Sequence, residues 1–340
     1  MKKAVLLVLL AFIILSACAS RAVEIVSSDP YTETIPWKIE KVPIKNGIYH
    51  VYGTQRLTYD CSKQYSFKHI KEVVEQASKV LDSMKLDIPV YFYFVESSAS
   101  HPVAKEFPED SDIYLLLKEK LHVDGIDHLK YSTYEEFCRY FYTTDHHWKY
   151  EGYYQGYLDI VRMLKGEDEE VLKPSGIAVF PFYYDGSFSR YINQTYSREK
   201  FAFYVFDPFP EYTSYINGIK IQYDHIQEYL NGTYSTKPRF NHYGGCFGGD
   251  RGLIVFEGEQ TGKGTLLMIG NSQSNAIKTL LIHHYDRIVF ISLRHYHKEG
   301  AGVGKPFSMK EIIDEYDPDQ VLFIGCADFL ATDHLINLKP

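Results

Sequence analysis

The sequence predicts an α/β fold in which a mostly parallel β-sheet is covered by helices on both faces. In the last third of the chain, three apolar runs alternate with two segments of helical periodicity. The runs are GTLLMI (264–269), RIVFISL (287–293) and QVLFIG (320–325), and the helical segments are residues 275–284 and 309–316. The runs lack a regular alternation of polar residues, which is typical of strands buried on both faces. This order of elements favours parallel strands joined by helical crossovers.

Hydrophobic periodicity predicts the remaining elements. The predicted strands are residues 47–59, 88–95, 202–206 and 218–223, the last of them in a hairpin. The predicted helices are residues 67–84, 113–121, 134–140 and 150–164, the last of them rich in tyrosine. No linker or internal repeat interrupts residues 46–340, so we predict a single domain with insertions over this range.

The start of the chain has the features of a secretory targeting segment. Two lysines precede an apolar run at residues 4–15, which is short for a membrane span but suits a signal peptide. The run ends in LSAC (15–18), which resembles a bacterial lipobox. We therefore expect a lipoprotein signal peptide over residues 1–17, with cleavage before Cys18 and diacylglycerol on its thiol. Residues 18–45 would then form a lipidated stalk on the outer side of the cell membrane. An ordinary cleaved signal and an uncleaved anchor remain open.

The composition narrows the classes of function. The chain carries 36 lysines and arginines against 44 aspartates and glutamates, a formal net charge of −8. Because no basic block stands out, we expect no nucleic-acid partner. The 30 tyrosines, against 2 tryptophans, leave two interpretations open. They line either a core or a groove for a polar polymer such as a glycan.

Four cysteines follow the lipobox: Cys61, Cys138, Cys246 and Cys326. They show no CxxC spacing, which argues against a zinc ribbon. Whether they form disulfides or remain buried thiols is left open by the sequence.

Ser272 lies where a predicted parallel strand gives way to a predicted helix, just after Gly270. Sites in open α/β sheets form at the carboxyl ends of strands, and backbone amides at a helix start can stabilise an oxyanion. Ser272 is therefore a candidate nucleophile, although a serine here can also simply cap the helix. The G-x-S-x-G pattern of an ordinary α/β-hydrolase is incomplete, because the trailing glycine is missing.

The segment TTDHHW (143–148) supplies a candidate base and its carboxylate. In extended backbone, Asp145 and His147 leave the same face, which would bring carboxylate and imidazole together, with His146 pointing away. A serine nucleophile needs such a pair, in which the carboxylate fixes the imidazole tautomer. A metal site formed by Asp145, His146 and His147 is the alternative.

These residues carry a resemblance to a known family. TTDHHW followed by a tyrosine-rich helix resembles the DHHW family, which belongs with the SGNH-hydrolase-like proteins of alginate and other exopolysaccharide O-acetylation. The stretch FGGDRGLIVFEG (247–258) resembles the glycine-rich segment before that family's serine, and ISLRHY (291–296) resembles the segment after it. The chain departs from the family at two positions, since Asn271 and Ser292 stand where aspartate is common.

The resemblance implies an SGNH-hydrolase-like fold with permuted motif order and an extracytoplasmic carbohydrate O-acetyltransferase or acetylesterase. It implies that His147, oriented by Asp145, deprotonates Ser272, without a cofactor or metal. It also implies a polysaccharide substrate and, for transfer, a membrane acyltransferase that supplies acetyl groups. Further candidates for binding the oxyanion or substrate are Asn275, Asn271, Arg294, Asp250 and Trp148. Arg294 and Asp250 can equally form ion pairs, and Trp148 can instead pack the turn that carries Asp145 and His147.

Two other classes of function remain in view. A catalytically idle glycan-binding lipoprotein on the same fold would account for the tyrosine excess and for Asn271. A metal-dependent hydrolase would use the Asp145, His146 and His147 set. The distance between Ser272 and His147 separates the serine enzyme from both, because only that mechanism requires the two side chains to lie within about 4 Å.

Overall fold

The computed structural model describes ten stretches of the chain. These are residues 23–26, 48–51, 56–59, 66–96, 112–131, 134–192, 199–221, 224–237, 239–332 and 334–340. The predicted signal peptide, Cys18 and Cys61 lie outside these stretches. Within them, no helix combines the length and apolar character needed to cross a bilayer.

The described part of the chain alternates strands and helices. The strands are β1 (Glu24–Val26), β2 (Ile48–Val51), β3 (Arg56–Tyr59), β4 (Val90–Phe94), β5 (Gly125–His128), β6 (Gly176–Tyr183), β7 (Lys200–Val205), β8 (Thr213–Ile216), β9 (Ile219–Ile221), β10 (Leu253–Glu257), β11 (Thr265–Gly270), β12 (Arg287–Ile291) and β13 (Gln320–Gly325). The α-helices are α1 (Phe67–Met84), α2 (Ile113–Lys120), α3 (Tyr134–Tyr140), α4 (Tyr150–Lys165), α5 (Ser187–Ile192), α6 (His225–Leu230), α7 (His242–Phe247), α8 (Leu293–Tyr296), α9 (Met309–Tyr316) and α10 (Ala327–Ala331). Short 3₁₀-helices cover Ser272–Ala276, Leu280–His283 and Leu335–Asn337.

A central eight-stranded sheet has the order β5-β4-β13-β11-β12-β10-β8-β9. The first five strands of this order are mutually parallel, and the last three are added antiparallel. The predicted α/β class with a largely parallel sheet is therefore confirmed. The register pairs Ile269 with Ile291 and Gly270 with Ile324, so the segments that follow β11, β12 and β13 leave the same edge of the sheet.

Helices and a second sheet cover the two faces of the central sheet. Residues of β11 alternate between the two cores, because Leu266 and Met268 pack on one side and Leu267 and Ile269 on the other. The first side is closed by α4 and by the antiparallel sheet β1-β6-β7, and the second by α1, α2, α9 and α10.

The N-terminal strand β1 lies inside the range 18–45, which the sequence analysis assigns to a stalk. Residues 24–26 pair with β6, from Glu24 opposite Val179 to Val26 opposite Ile177. At least these three residues therefore pack on the folded body.

Eleven of the 30 tyrosines are buried among the residues that the structure describes. Those that are buried are Tyr93, Tyr140, Tyr142, Tyr150, Tyr153, Tyr157, Tyr184, Tyr229, Tyr243, Tyr285 and Tyr296. Cys138, Cys246 and Cys326 are buried free thiols. These tyrosines thus serve packing and internal hydrogen bonds instead of lining an open groove.

One predicted helix is wrong. Residues 275–284 form parts of two 3₁₀-helices, Ser272–Ala276 and Leu280–His283, in place of one α-helix. The hydroxyl of Ser274 donates to the carbonyl of Asn271 at 2.6 Å, and the backbone N–H of Ser274 donates to the same oxygen at 3.0 Å. This local competition for backbone groups tightens the turn, and burial of the whole segment holds it in that form.

Candidate active site

The segment between α3 and α4 forms a closed turn that presents Asp145 and His147. An isolated bridge between Phe141 and Trp148 closes the turn, and the N–H of Tyr142 donates to the carbonyl of His147 at 3.3 Å. The backbone is therefore bent here and not extended, so the predicted extended conformation of this segment is wrong.

The structure brings Asp145, His147 and Ser272 together in a chain of hydrogen bonds. Asp145 Oδ1 lies 2.9 Å from His147 Nδ1, and His147 Nε2 lies 2.9 Å from Ser272 Oγ. The predicted proximity of Ser272 and His147, which are separated by 125 residues, is thus found. Ser272 is partly exposed, whereas Asp145 and His147 are buried. The serine hydroxyl is therefore the end of this chain of hydrogen bonds that a substrate can reach.

The Asp145 carboxylate is held by donors from the β6–α5 region. Its Oδ1 accepts a hydrogen bond from the Ser187 hydroxyl at 2.8 Å, and its Oδ2 accepts one from the Tyr184 hydroxyl. Gly186 lies against the same group, because a Cβ there would come within 2.3 Å of the Asp145 Cβ. These contacts fix which oxygen faces His147.

The burial of the pair sets its protonation states. Burial lowers the pKa of His147 to about 4, with His146 acting in the same direction and Asp145 opposing it. Burial also opposes ionisation of Asp145, but the charges and hydrogen bonds of the two histidines outweigh this and hold its pKa well below its usual range. At neutral pH the pair is therefore a carboxylate and a neutral imidazole, which is the form that accepts a proton from serine.

His146 does not point away, so that expectation is wrong. Its Nδ1 lies 3.1 Å from Asp145 Oδ1 and 2.7 Å from Ser187 Oγ, and its ring centroid lies 3.9 Å from that of His147. The turn, unlike a strand, places successive side chains on one side. Asp145, His146 and His147 consequently offer ligand atoms within 4.8 Å of one another. Hydrogen bonds among these three residues and with Ser187 and Ser272 account for this proximity.

Ser272 opens a 3₁₀-helix directly after β11. The side chain of Asn271 accepts from the N–H of Gln273 at 3.2 Å and donates to Cys326 Sγ at 3.5 Å. Asn271 is buried, and its side chain caps the turn. In the part of the chain that the structure describes, no acceptor contacts the N–H of Ser272, which leaves this group available to an oxyanion.

Besides the contact between His147 and Ser272, two hydrogen bonds join the turn after β11 to the turn between α3 and α4. Gln273 Nε2 donates to the carbonyl of His146 at 3.0 Å, and Trp148 Nε1 donates to the carbonyl of Gln273 at 2.9 Å. Trp148 is fully buried, so it packs the turn that carries Asp145 and His147 and does not stack on a sugar. Tyr243 completes this support, since its ring stacks on that of His147 at a centroid distance of 3.9 Å.

The other predicted polar residues lie at the same end of the sheet. Asn275 is buried, and its Nδ2 donates to Asp250 Oδ1 at 3.0 Å. Arg294 lies on α8, directly after β12, and is exposed. The structure therefore joins Asn275 and Asp250 in one network and places Arg294 along the same edge.

Several residues of the site escaped the sequence analysis. They are Tyr184, Ser187, Tyr243, Gln273 and Lys278. Only Gln273, as the neighbour of the candidate nucleophile, carried a local signal, whereas the others reach the site through tertiary packing.

Solved structures resemble this chain over most of its length. A DHHW family protein from Eubacterium siraeum matches with a TM-score of 0.67 and 17% identity, covering 90% of this chain and 100% of that one. PatB1 from Bacillus cereus matches with a TM-score of 0.61 and 18% identity, covering 85% and 99%. PatB1 with a sulfonyl adduct gives 0.62 and 18%, covering 87% and 100%. No protein-family model and no curated sequence matches the chain. The resemblance to the DHHW family is thus confirmed at the level of the fold.

Proposed function

We propose that this protein is a serine-dependent carbohydrate O-acetyltransferase or acetylesterase that acts on a cell-surface or secreted polysaccharide. The observation that carries the proposal is the pair of 2.9 Å contacts that links Asp145, His147 and Ser272. A buried carboxylate, a neutral imidazole and a partly exposed hydroxyl in this order form the arrangement that activates serine for acyl transfer.

In the first half of the reaction, Ser272 Oγ attacks the carbonyl carbon of an acetyl ester while His147 Nε2 takes the hydroxyl proton. The carbonyl π electrons move to oxygen, and the N–H of Ser272 donates to the resulting oxyanion. When the tetrahedral intermediate collapses, the bond to the leaving alcohol breaks and His147 gives that alcohol its proton. Acetyl-serine remains.

In the second half, an acceptor hydroxyl attacks the acetyl-serine while His147 takes its proton. Collapse breaks the bond to Ser272 Oγ, and His147 returns the proton to that oxygen. The acceptor is a sugar hydroxyl in a transferase and water in an esterase. Asp145 keeps the proton of the neutral His147 ring on Nδ1, and it stabilises the imidazolium when that ring is protonated.

The substrate class is supported by the resemblance of TTDHHW to a family of polysaccharide O-acetylation and by the fold shared with a DHHW family protein. The sulfonyl adduct reported for PatB1 suggests a probe, because sulfonyl fluorides react with activated hydroxyl groups. We place Arg294 and Asp250 at the edge where the polar acceptor or the leaving sugar binds.

We further propose that the protein is lipid-anchored through Cys18 on the outer side of the cell membrane. The LSAC sequence and the apolar run before it support this location. Acetyl-CoA does not reach that side, so a transferase here requires a membrane acyltransferase partner that supplies the acetyl group.

Turnover of an aryl acetate by the full-length protein tests the proposal. We expect hydrolysis by the wild type and its near-complete loss in Ser272→Ala, with His147→Ala in the same chain adding little, because members of a catalytic unit fail together. Lys263→Met, which alters an exposed residue before β11 at the opposite edge of the sheet, is the matched control and should keep the rate.

Three outcomes would decide between the alternatives. Wild-type turnover that survives Ser272→Ala would reject serine catalysis, and abolition of that turnover by a chelator would favour the metal-dependent hydrolase. A wild type that binds glycans but forms no product would favour the catalytically idle binding protein. Added oligosaccharide that gains acetyl groups would identify a transferase.

A further inference from the structure

A lysine lies buried directly behind the candidate active site. Lys278 is 2% exposed, and its Nζ lies 2.8 Å from Asn275 Oδ1 and 3.4 Å from the carbonyl of Gly248. The ring of Phe290 lies 5.1 Å away on another side. Burial of an ammonium group is costly unless partners compensate it, so this arrangement calls for a reason beyond packing.

The contact determines the orientation of the Asn275 amide. An ammonium group only donates hydrogen bonds, so the atom facing Lys278 has to be the amide oxygen. Asn275 Nδ2 is thereby turned to the other side, where it donates to Asp250 Oδ1 at 3.0 Å. An amide nitrogen carries two hydrogens, and Asp250 accepts one of them.

The position of Asn275 in the chain directs this amide toward the reacting centre. Ser272 and Asn275 are three residues apart in one 3₁₀-helix, in which side chains at i and i+3 eclipse each other. The amide therefore lies on the same face of the turn as the Ser272 hydroxyl. The second N–H of Asn275 and the N–H of Ser272 are then two donors at one end of the sheet.

We infer that Lys278 is a positioning residue that holds the Asn275 amide with one N–H, the one that Asp250 does not accept, toward the acyl oxygen. The inference rests on the proposed function and deepens it. Lys278 touches neither substrate nor nucleophile. It acts through Asn275, which supplies the second oxyanion donor, while Asp250 fixes the remaining N–H of that amide.

The charge of Lys278 gives this role a pH dependence. Burial lowers the pKa of Lys278 to about 8, with Asp250 opposing the shift and Arg251 reinforcing it. Asp224 and His225, at the start of α6, line the same cavity of about 150 Å³. A neutral amine can accept as well as donate, so above this pH the amide of Asn275 loses its fixed orientation.

The test compares Lys278→Met, Asn275→Ala and the double variant in full-length protein, using an aryl acetate and subtracting the Ser272→Ala rate. Removal of one oxyanion donor costs about 10²–10³-fold in kcat. We expect a loss approaching this size in each single variant, little change in KM, and no further loss in the double variant. Lys165→Met is the matched control, because Lys165 packs over the Tyr285 ring near the opposite edge.

The pH profile supplies a readout that a purely structural lysine would not move. Wild-type kcat should fall as pH rises through about 8, and this fall should be absent in Asn275→Ala. This second variant keeps the inference testable if Lys278→Met does not fold. A folded Lys278→Met with wild-type kcat, multiplied losses in the double variant, or an unchanged alkaline fall in Asn275→Ala would overturn the inference. If Ser272→Ala retains wild-type turnover, the proposed function itself fails.

Discussion

The indole N–H of Trp148 donates to the backbone carbonyl of Gln273 at 2.9 Å, across 125 residues of sequence. This bond and the one from Gln273 Nε2 to the carbonyl of His146 flank the contact between His147 and Ser272. The nucleophile and its base lie on separate turns, so their distance depends on such cross-links. We regard Trp148 as a residue that positions His147 relative to Ser272.

Trp148→Phe should lower kcat while leaving the fold intact. Phenylalanine keeps an aromatic ring at this core position, but it is smaller and lacks the indole N–H, so the bonds to Gln273 and Tyr243 are lost. Because a displacement near 1 Å can cost on the order of 10²-fold in rate, we expect a loss of about 10-fold or more, with little change in KM. Tyr157→Phe is the control, because it removes a buried hydroxyl that contacts His284, away from the site. It should have the same melting temperature as Trp148→Phe, but its kcat should stay at the wild-type value. Equal kcat in the two variants would contradict the positioning role.

Asp145→Asn should be severe although it is nearly isosteric. The amide nitrogen can donate to His147 Nδ1, which favours the tautomer that cannot accept the Ser272 proton. A loss on the order of 10⁴-fold in kcat is expected from this effect. Asp159→Asn alters another buried carboxylate, on α4, and should keep the rate. A small effect of Asp145→Asn on kcat in a folded protein would show that Asp145 does not orient His147 for catalysis.

The fall of kcat/KM on the acid side of the pH profile should occur at an unusually low pH. His147 accepts a proton only when neutral, and its pKa of about 4 implies that kcat/KM stays high at pH 5 and falls as pH decreases through about 4. Since His146 contributes to lowering that pKa, His146→Gln should move this fall to higher pH. Rates should be measured with circular dichroism at each pH to exclude unfolding. A fall near pH 6.5 in the wild type would contradict the assignment.

Cys18→Ser should separate the protein from the membrane or block its processing. A lipobox serine cannot carry the thioether-linked diacylglycerol, so the variant loses its anchor. Fractionation and electrophoretic mobility are the measurements. Unchanged membrane retention together with unchanged mobility would show that Cys18 is not lipidated.

Much of the fold was predictable because its elements follow local hydrophobic patterns. The helices at 67–84, 134–140 and 309–316 begin and end where the sequence predicts, and 320–325 is a strand as predicted. Strand β6, at 176–183, had no prediction, although five of its eight residues are buried. Its place depends on pairing with β1 and β7, which no local pattern in the chain reveals.

The sequence predicts the three candidate catalytic residues, Asp145, His147 and Ser272, but not the residues that position them. An extended backbone predicts the contact between Asp145 and His147, but the contact exists because the segment turns. The same turn places His146 beside them, opposite to the prediction. The types of Trp148 and Asn271 are compatible with either substrate contact or internal support, and only the structure shows that both are buried and form internal hydrogen bonds.

The acyl-enzyme is the most direct test of the central claim. Full-length protein should be mixed with an aryl acetate, quenched within the first turnover, digested and analysed by mass spectrometry, with a sulfonyl fluoride used in parallel. We predict one acetyl group, or one sulfonyl group, on the peptide that contains Ser272, and neither label on the corresponding peptide of His147→Ala. Turnover by the wild type with no label on Ser272, or equal labelling of Ser272 in His147→Ala, would contradict the account.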